Sequence, residues 1–187
     1  MYPMLCVAIA VPYLILVVGM GYTRQSAAIG MALMAYYFLI DGRLKLYLFF
    51  VLFGALFHLT EVVMLILLVA RFNKKNLVFN TILFFTCSLI ALYFLQNSIL
   101  SRLDTYDSND VVNSEGGLFR LMVNLVPAVI YFLNFNKIKN FYNNDIITNS
   151  LTILSIGTIL LLILSAFTST LADRLGLYFS IIQLAIY

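Results

Sequence analysis

The sequence predicts an all-α fold, a polytopic bundle of transmembrane helices. Of its 187 residues, 63% are hydrophobic and only 10% are charged, which is far less charge than a soluble domain of this size carries. The apolar runs are long and unbroken rather than alternating with period two, so they favour membrane-spanning helices over the strands of a barrel. Short polar breaks separate one run from the next.

These runs predict eight helices in a single transmembrane domain. The first has Pro3 at its start and a kink at Pro12, and the second is rich in small residues that permit close helix packing. The chain begins and ends inside apolar sequence, which suggests that it is incomplete. The predicted bounds are approximately 2–19, 26–40, 46–58, 61–71, 77–100, 118–133, 147–171 and 175–187.

The run 46–70 carries His58 and Glu61 at its middle, which predicts a broken or re-entrant helix near His58. Loop charge supports this arrangement. Lysine and arginine are retained on the cytoplasmic side, so the basic loops 41–45, 71–76 and 134–149 belong together inside, provided that 46–70 enters and returns on one side. The alternative is a single helix through 46–70, which would put Lys74 and Lys75 outside.

Ionisable side chains in or beside the apolar runs are the candidate functional residues. A charge in hydrocarbon costs about 2.5–3.5 kcal/mol on insertion scales, so such groups usually line a cavity or bind a ligand. With the re-entrant topology, all of them lie on the outer side of the membrane. They are Arg24, His58, Glu61, Arg102, Arg120, Asp173 and Arg174.

The charged groups near the predicted breaks each have a functional and a structural interpretation. Arg24 precedes a helix, where it could bind phosphate or carboxylate together with helix amides; otherwise it is an interfacial arginine. His58 and Glu61 are three residues apart and share a face on a helix, so the carboxylate could orient the imidazole as a base or the pair could cap a helical break. Asp173 and Arg174 could bind substrate or neutralise each other.

Four further residues carry similar alternatives. Arg102 and Tyr106 open the acidic loop 101–117 and are either ligand-binding groups or a solvated loop flank. Arg120 lies about one turn inside its apolar run, where it lines a cavity or reaches the interface. Tyr178 could stack on a sugar or belong to the interfacial aromatic belt.

Several function classes are excluded by composition. The net charge of +3 is modest and forms no basic stripe, so nucleic acid is not an expected partner. His58 is the sole histidine, and Cys6 and Cys87 are isolated in apolar runs, which leaves no metal-binding motif. Phosphate-binding and dinucleotide-binding glycine loops and the common hydrolase motifs are also absent.

The order of the polar residues along the chain resembles the EpsG-like branch of the Wzy polysaccharide polymerases. Glu61 departs from that family's pattern, in which a small or apolar residue follows the histidine motif. Family members are roughly twice this length, so the resemblance implies a fragment that covers the later helices. The residues that carry it are Gly21-Tyr22-Thr23-Arg24-Gln25-Ser26-Ala27-Ala28, Ala55-Leu56-Phe57-His58-Leu59-Thr60, Ser101-Arg102 with Tyr106, and Arg174-Leu175 with Tyr178-Phe179.

The resemblance implies a metal-independent glycosyltransferase without a cofactor, in the bacterial cytoplasmic membrane and facing outward. It would polymerise oligosaccharide repeat units carried on undecaprenyl diphosphate into capsule, O-antigen or exopolysaccharide, and a chain-length regulator is an implied partner. A lipid-linked sugar flippase and a non-catalytic membrane subunit are the competing functions. The implied roles are catalysis by His58 and Arg24, substrate binding by Arg102, Arg120, Arg174, Tyr106 and Tyr178, and orientation by Glu61 and Asp173.

Overall fold

The computed structural model describes residues 4, 8, 11, 18–71, 117–166 and 169–186, and every regular element within them is a helix. The predicted all-α fold class is confirmed. Within these residues, eight α-helices and one 3₁₀-helix follow one another. They are α1 (Gly19–Gly21), α2 (Thr23–Ile40), α3 (Leu44–Phe57), the 3₁₀-helix (Leu59–Arg71), α4 (Gly117–Leu133), α5 (Phe135–Tyr142), α6 (Asp145–Ser165), α7 (Ser169–Phe179) and α8 (Ile181–Ile186).

Helix α3 and the 3₁₀-helix form a re-entrant hairpin, which confirms the predicted break near His58. His58 has an extended backbone, with φ −150° and ψ 116°, at the turn between the two arms. Arg71, at the end of the second arm, donates from Nη1 to the carbonyl of Gly42 at 2.8 Å. The chain therefore returns to the loop from which it entered, and the alternative of a single helix through this run is wrong.

The second arm keeps 3₁₀ geometry for 13 residues, whereas most 3₁₀ runs end after three or four. Side chains eclipse every three residues in this geometry, and burial follows that period. The side chains of the second arm thus form three rows along the helix. The row of Val63, Ile66 and Val69 is more exposed than the other two. Because the other two rows pack inward, their burial stabilises the helix. The inward rows are Glu61, Met64, Leu67 and Ala70, and beside them Val62, Leu65 and Leu68.

The 3₁₀ geometry makes the second arm longer than an α-helix of the same number of residues would be. The 14 residues of α3 rise roughly 21 Å at 1.5 Å per residue. The 13 residues of the second arm rise roughly 26 Å at 2.0 Å per residue, where an α-helix would cover about 20 Å. The Tyr47 hydroxyl, in the first turn of α3, donates to the carbonyl of Met64 and joins the two arms.

One described helix, α6, is long and apolar enough to cross a membrane alone, and α4 with α5 passes the same test as a pair bent by 85°. Large apolar side chains point outward from several helices, among them Leu56, Phe119 and Leu133, which are 81%, 71% and 78% exposed. A soluble monomer rarely exposes so much apolar surface. These helices have the surface expected of a membrane protein.

Contacts between the loops divide the bundle into two ends. Asn149, in the first turn of α6, donates to the carbonyl of Ala70 at 3.0 Å, next to the contact between Arg71 and Gly42. The described parts of all three predicted basic loops thus lie at one end, called here the basic end. The His58 turn and the starts of α2, α4 and α7 lie at the opposite end.

Some boundaries differ from those expected. The expected connection after residue 133 carries α5, which ends at Tyr142, and its C-cap residue Asn143 is left-handed with φ 45°. Asn144 then caps α6, its Oδ1 accepting from the amide of Ile146 at 2.9 Å. The Asn-rich segment is therefore a helix and two caps, because asparagine tolerates both the left-handed backbone and the N-cap position.

The last expected helices are also divided differently. Helix α6 ends at Ser165, α7 begins at Ser169, and Ser180 separates α7 from α8. The expected span 77–100 and the loop after it lie outside the described residues. The expected span 2–19 is described only at residues 4, 8, 11, 18 and 19.

Candidate functional site

Four separate segments of the chain meet at the end of the bundle opposite the basic end. Gln25, in the first turn of α2, donates from Nε2 to the carbonyl of Arg174 on α7 at 2.8 Å. The guanidinium of Arg120 on α4 lies 5.7 Å above the ring of Tyr22, within range of a cation–π contact. The starts of α2, α4 and α7 are therefore in direct contact there.

The His58 turn joins the same cluster through Thr60 and Tyr178. Nδ1 of His58 lies 2.6 Å from Oγ1 of Thr60, and Thr60 donates from Oγ1 to the hydroxyl of Tyr178 at 3.4 Å. Tyr178 is fully buried, so in this structure its ring packs inside the bundle and its hydroxyl meets Thr60. Thr60 belongs to the Phe-His-Leu-Thr motif, but its spacing from Tyr178 in the sequence gives no sign of this contact.

Glu61 lies away from His58. Its side chain is fully buried, and both carboxyl oxygens lack a hydrogen-bond partner among the described residues. The carboxyl packs on α3 at Gly54, where an added Cβ would lie 1.7 Å from Oε2. The expected orientation of His58 by Glu61 is absent, because the first turn of the 3₁₀-helix aims Glu61 at the other arm and gives Thr60 the contact with the imidazole.

Arg120 and Asp173 form a bidentate ion pair between α4 and α7. Nε donates to Oδ1 at 2.7 Å and Nη2 to Oδ2 at 2.6 Å, the fork geometry that suits guanidinium and carboxylate. Their side chains are 18% and 7% exposed. Asp173 thus orients Arg120, and the ion pair joins α4 to α7.

Arg24 and Arg174 add positive charge beside this neutral pair. Arg24 is exposed in the first turn of α2, and Arg174 is half-buried on α7. The N-cap residue of α2, Tyr22, makes no side-chain hydrogen bond to the first turn. Helix starts favour anions, so Arg24 and the first turn of α2 are suited to contact an anionic group.

A layer of neutral polar groups holds α7 and α8 against α4 below these charges. Asn124 donates from Nδ2 to the carbonyl of Gly176 at 2.7 Å, and Gln183 donates from Nε2 to Oδ1 of Asn124 at 2.5 Å. An added Cβ at Gly176 would lie 2.5 Å from the side chain of Leu121, so α4 and α7 are in close contact. Sequence analysis missed Asn124, although it lies one turn after Arg120 on the same helix face.

Two of the predicted substrate-binding residues, Arg102 and Tyr106, lie outside the described residues. Among the other seven predicted residues, Arg120 contacts Asp173 directly. His58 is linked to Tyr178 through Thr60. Within the ranges that the structure describes, no group of three or more His, Cys, Asp or Glu side chains could hold a metal ion. The described side chains of this site offer guanidinium, imidazole, carboxylate and hydroxyl groups.

Comparison with known proteins adds one finding. The model of the EpsG family matches residues 2–187. No curated protein and no solved structure matches the chain.

Proposed function

The chain belongs to the EpsG family, a family of Wzy-like polymerases, and from this premise we propose a membrane-embedded glycosyltransferase. Its substrates are oligosaccharide repeat units carried on undecaprenyl diphosphate, which it joins into a surface polysaccharide. The observation that carries the proposal is the meeting of Arg24, Arg174 and the His58 turn at one end of the bundle, held by the contact between Gln25 and Arg174.

The proposed reaction replaces one bond at the anomeric carbon of the donor sugar with another. The oxygen of an acceptor hydroxyl bonds to that carbon, and the bond from the carbon to the carrier's diphosphate oxygen breaks. The diphosphate leaves with the bonding electrons and the acceptor hydroxyl loses its proton. Catalysis of this step requires stabilisation of the anionic leaving group and removal of that proton.

Arg24 and Arg174 are the proposed contacts of the diphosphate. A guanidinium donates two parallel hydrogen bonds to phosphate oxygens, and its charge does not depend on pH in the physiological range. The amides at the start of α2 add further donors. Arg120 has a lesser part in this proposal because Asp173 already neutralises it at 2.6 Å.

His58 is the proposed base. It is half-buried at the turn of the hairpin, between two helical arms whose ends are fixed. A base must lie within hydrogen-bond reach of the proton that it removes, and a rigid turn beside Arg174 and Tyr178 provides a fixed position for the imidazole. Glu61 has no part in the proposed proton transfer, since its carboxyl packs on Gly54.

The proposed site faces the outside of a bacterial cytoplasmic membrane, crossed by several helices. Support comes from the distribution of charge: the basic end carries Arg43, Lys45, Arg71, Lys137 and Lys139, and such residues are retained in the cytoplasm. The opposite end, with the candidate site, then lies in the outer leaflet. A chain-length regulator is the proposed protein partner.

The test is the size distribution of surface and lipid-linked glycan in a strain that lacks the gene and carries variants of it. We expect Arg24→Ala and His58→Ala to give single repeat units on the surface without long chains, at unchanged protein level. Arg43→Ala is the matched control, because Arg43 is exposed at the basic end and pairs with Asp41; it should restore long chains.

The other outcomes identify the competing functions. Repeat units trapped on the inner leaflet with no surface glycan would indicate a flippase instead. An unchanged glycan ladder in the strain without the gene would overturn any role in polymerisation and favour a non-catalytic subunit.

A further inference from the structure

We propose that α5 is an interfacial helix that binds the headgroups of anionic phospholipids at the basic end of the bundle. It lies along the membrane surface, with its lysines at the lipid phosphates and Phe141 among the acyl chains next to them. The surface that it forms is at the opposite end from the candidate site, and its role does not depend on the proposed polymerase activity.

The direction of α5 follows from the sharp bend that precedes it. Its axis is turned by 85° from that of α4. The 17 residues of α4 rise roughly 26 Å at 1.5 Å per residue, which is most of a hydrocarbon core about 30 Å thick. Helices that cross a membrane tilt by about 20° on average. A helix that leaves α4 at nearly a right angle therefore runs along the membrane surface.

One side of α5 is fixed to the rest of the bundle. The rings of Phe135 and Tyr131 meet edge to face, with 5.7 Å between their centroids, and Ile138 packs against the buried core. The hydroxyl of Tyr142 donates to the carbonyl of Ala185 at 2.6 Å. Phe135, Ile138 and Tyr142 are three and four residues apart, so they share one face of the helix. The other faces of α5 are therefore turned toward the surroundings.

The outward residues of α5 have the composition of an interfacial helix. Lys137, Lys139 and Asn140 are exposed, and Phe141 is 72% exposed. Lys137 and Phe141 are four residues apart, so the lysine and the aromatic ring are neighbours on the helix surface. A lysine stem extends along apolar surface and places its charge among the headgroups. Helices that lie in the interface combine such basic residues with apolar side chains on the adjoining face.

The charge of α5 favours anionic headgroups over neutral ones. Residues 134–144 contain two lysines and no acidic residue, and neither lysine forms an ion pair with the residues that the structure describes. Asp145 follows in the first turn of α6, where helix amides stabilise its negative charge. A basic residue close to an anionic membrane surface favours binding about fivefold. The two lysines of α5 therefore select phosphatidylglycerol over phosphatidylcholine.

The test uses tryptophan fluorescence, since the chain has no tryptophan of its own. Phe141→Trp places a single fluorophore on α5 beside Lys137. The full-length variant is reconstituted in vesicles of phosphatidylcholine and phosphatidylglycerol in equal amounts, with bromine, which quenches tryptophan on contact, on the acyl chains of one lipid at a time. We expect stronger quenching when phosphatidylglycerol is the brominated lipid. Equal quenching by the two lipids would overturn the proposed selectivity.

The depth of the same fluorophore tests the position of α5. We expect bromine near the headgroup to quench it more strongly than bromine near the end of the acyl chain. The reverse order would place α5 inside the bilayer, and no quenching by either lipid would place it in water or against another protein; both results overturn the proposal. Leu160→Trp, at a position on α6 that is 59% exposed, is the matched control. A headgroup preference of the same size there would show that α5 is not its source.

Charge variants in the Phe141→Trp background identify the groups responsible. We expect Lys137→Gln with Lys139→Gln to abolish the preference for phosphatidylglycerol, and Lys137→Arg with Lys139→Arg to keep it. High salt should also reduce it, because the Debye length falls to about 3 Å at 1 M. Arg43→Gln with Lys45→Gln removes two charges from the basic end outside α5 and should leave the preference in place. Its loss in that variant, or its persistence without the two lysines of α5, would overturn the assignment to α5.

Discussion

At the scale of single residues, the pair of Arg120 and Asp173 decides how α4 and α7 are joined. Both groups are largely withdrawn from solvent, and a buried ion pair adds little net stability because desolvation offsets the attraction. Removal of one partner is costly, however, since the other charge stays inside the bundle without its bidentate contact. The pair therefore specifies which helix faces meet, and its loss should be felt as instability.

We predict that Arg120→Ala lowers the free energy of unfolding by about 3–5 kcal/mol, the usual cost of breaking a buried ion pair from one side. The double variant Arg120→Leu with Asp173→Leu should recover most of that loss, because no lone charge remains. The measurement is reversible denaturant unfolding of the detergent-solubilised protein. A double variant as unstable as Arg120→Ala would contradict this account of the pair.

Single residues also show which side-chain contacts could not be predicted from the sequence. The separation of three residues between His58 and Glu61 predicts contact on an α-helix, but His58 is extended and the helix after it is 3₁₀, so Glu61 turns to Gly54. Asp173 has a cation next to it in sequence, yet it forms a bidentate ion pair with an arginine 53 residues away. Which side chains pair depends on helix geometry and tertiary distance, and neither follows from spacing alone.

At the scale of elements, the re-entrant hairpin could be predicted because two physical constraints agree. Ionisable groups at the middle of an apolar run argue against a lipid-facing helix. In addition, three basic loops can lie on the same side only if the chain crosses the membrane an even number of times between one loop and the next. The 3₁₀ geometry of the second arm could not be predicted. Nearly every residue of this run is hydrophobic, so its sequence fits a buried face of period three and the apolar face of an α-helix equally well.

The two arms meet closely at Gly54 and Glu61, and this contact predicts coupling between substitutions. Gly54→Ala places a Cβ against the carboxyl of Glu61, and overpacking of this kind costs about 1–3 kcal/mol. In a Glu61→Ala background the same change has room and gains about 1 kcal/mol from helix propensity. Denaturant unfolding of the two single variants and the double variant measures the coupling. Effects that add to within about 0.5 kcal/mol would show that the sites are independent.

The burial pattern of the second arm predicts different costs for adjacent residues. Leu67 is fully buried and Ile66 is 37% exposed, although both are large and aliphatic. We expect Leu67→Ala to cost about 2–5 kcal/mol in unfolding free energy, as cavities in packed interiors do, and Ile66→Ala clearly less. Equal costs would contradict the threefold packing of the arm.

At the scale of the whole molecule, the separation of charge between the two ends follows from the topology. The hairpin brings Arg71 back to Gly42, and the contact between Asn149 and Ala70 adds the start of α6 to the same end. The starts of α2, α4 and α7 are left to meet at the other end with the His58 turn. Candidate residues that are far apart in sequence are thereby brought together.

The orientation of these two ends in the membrane is open to a direct test. In a background with Cys6 and Cys87 replaced by alanine, a single cysteine at Met20, which is 78% exposed beside the candidate site, should react with an impermeant maleimide on spheroplasts. A cysteine at Asn140, exposed on α5 at the basic end, should react only after the membrane is permeabilised. Both positions are uncharged, so the substitutions leave the loop charges that set orientation unchanged. Reaction at Asn140 but not at Met20 would place the site in the cytoplasm, where a polymerase acting on exported repeat units could not use it.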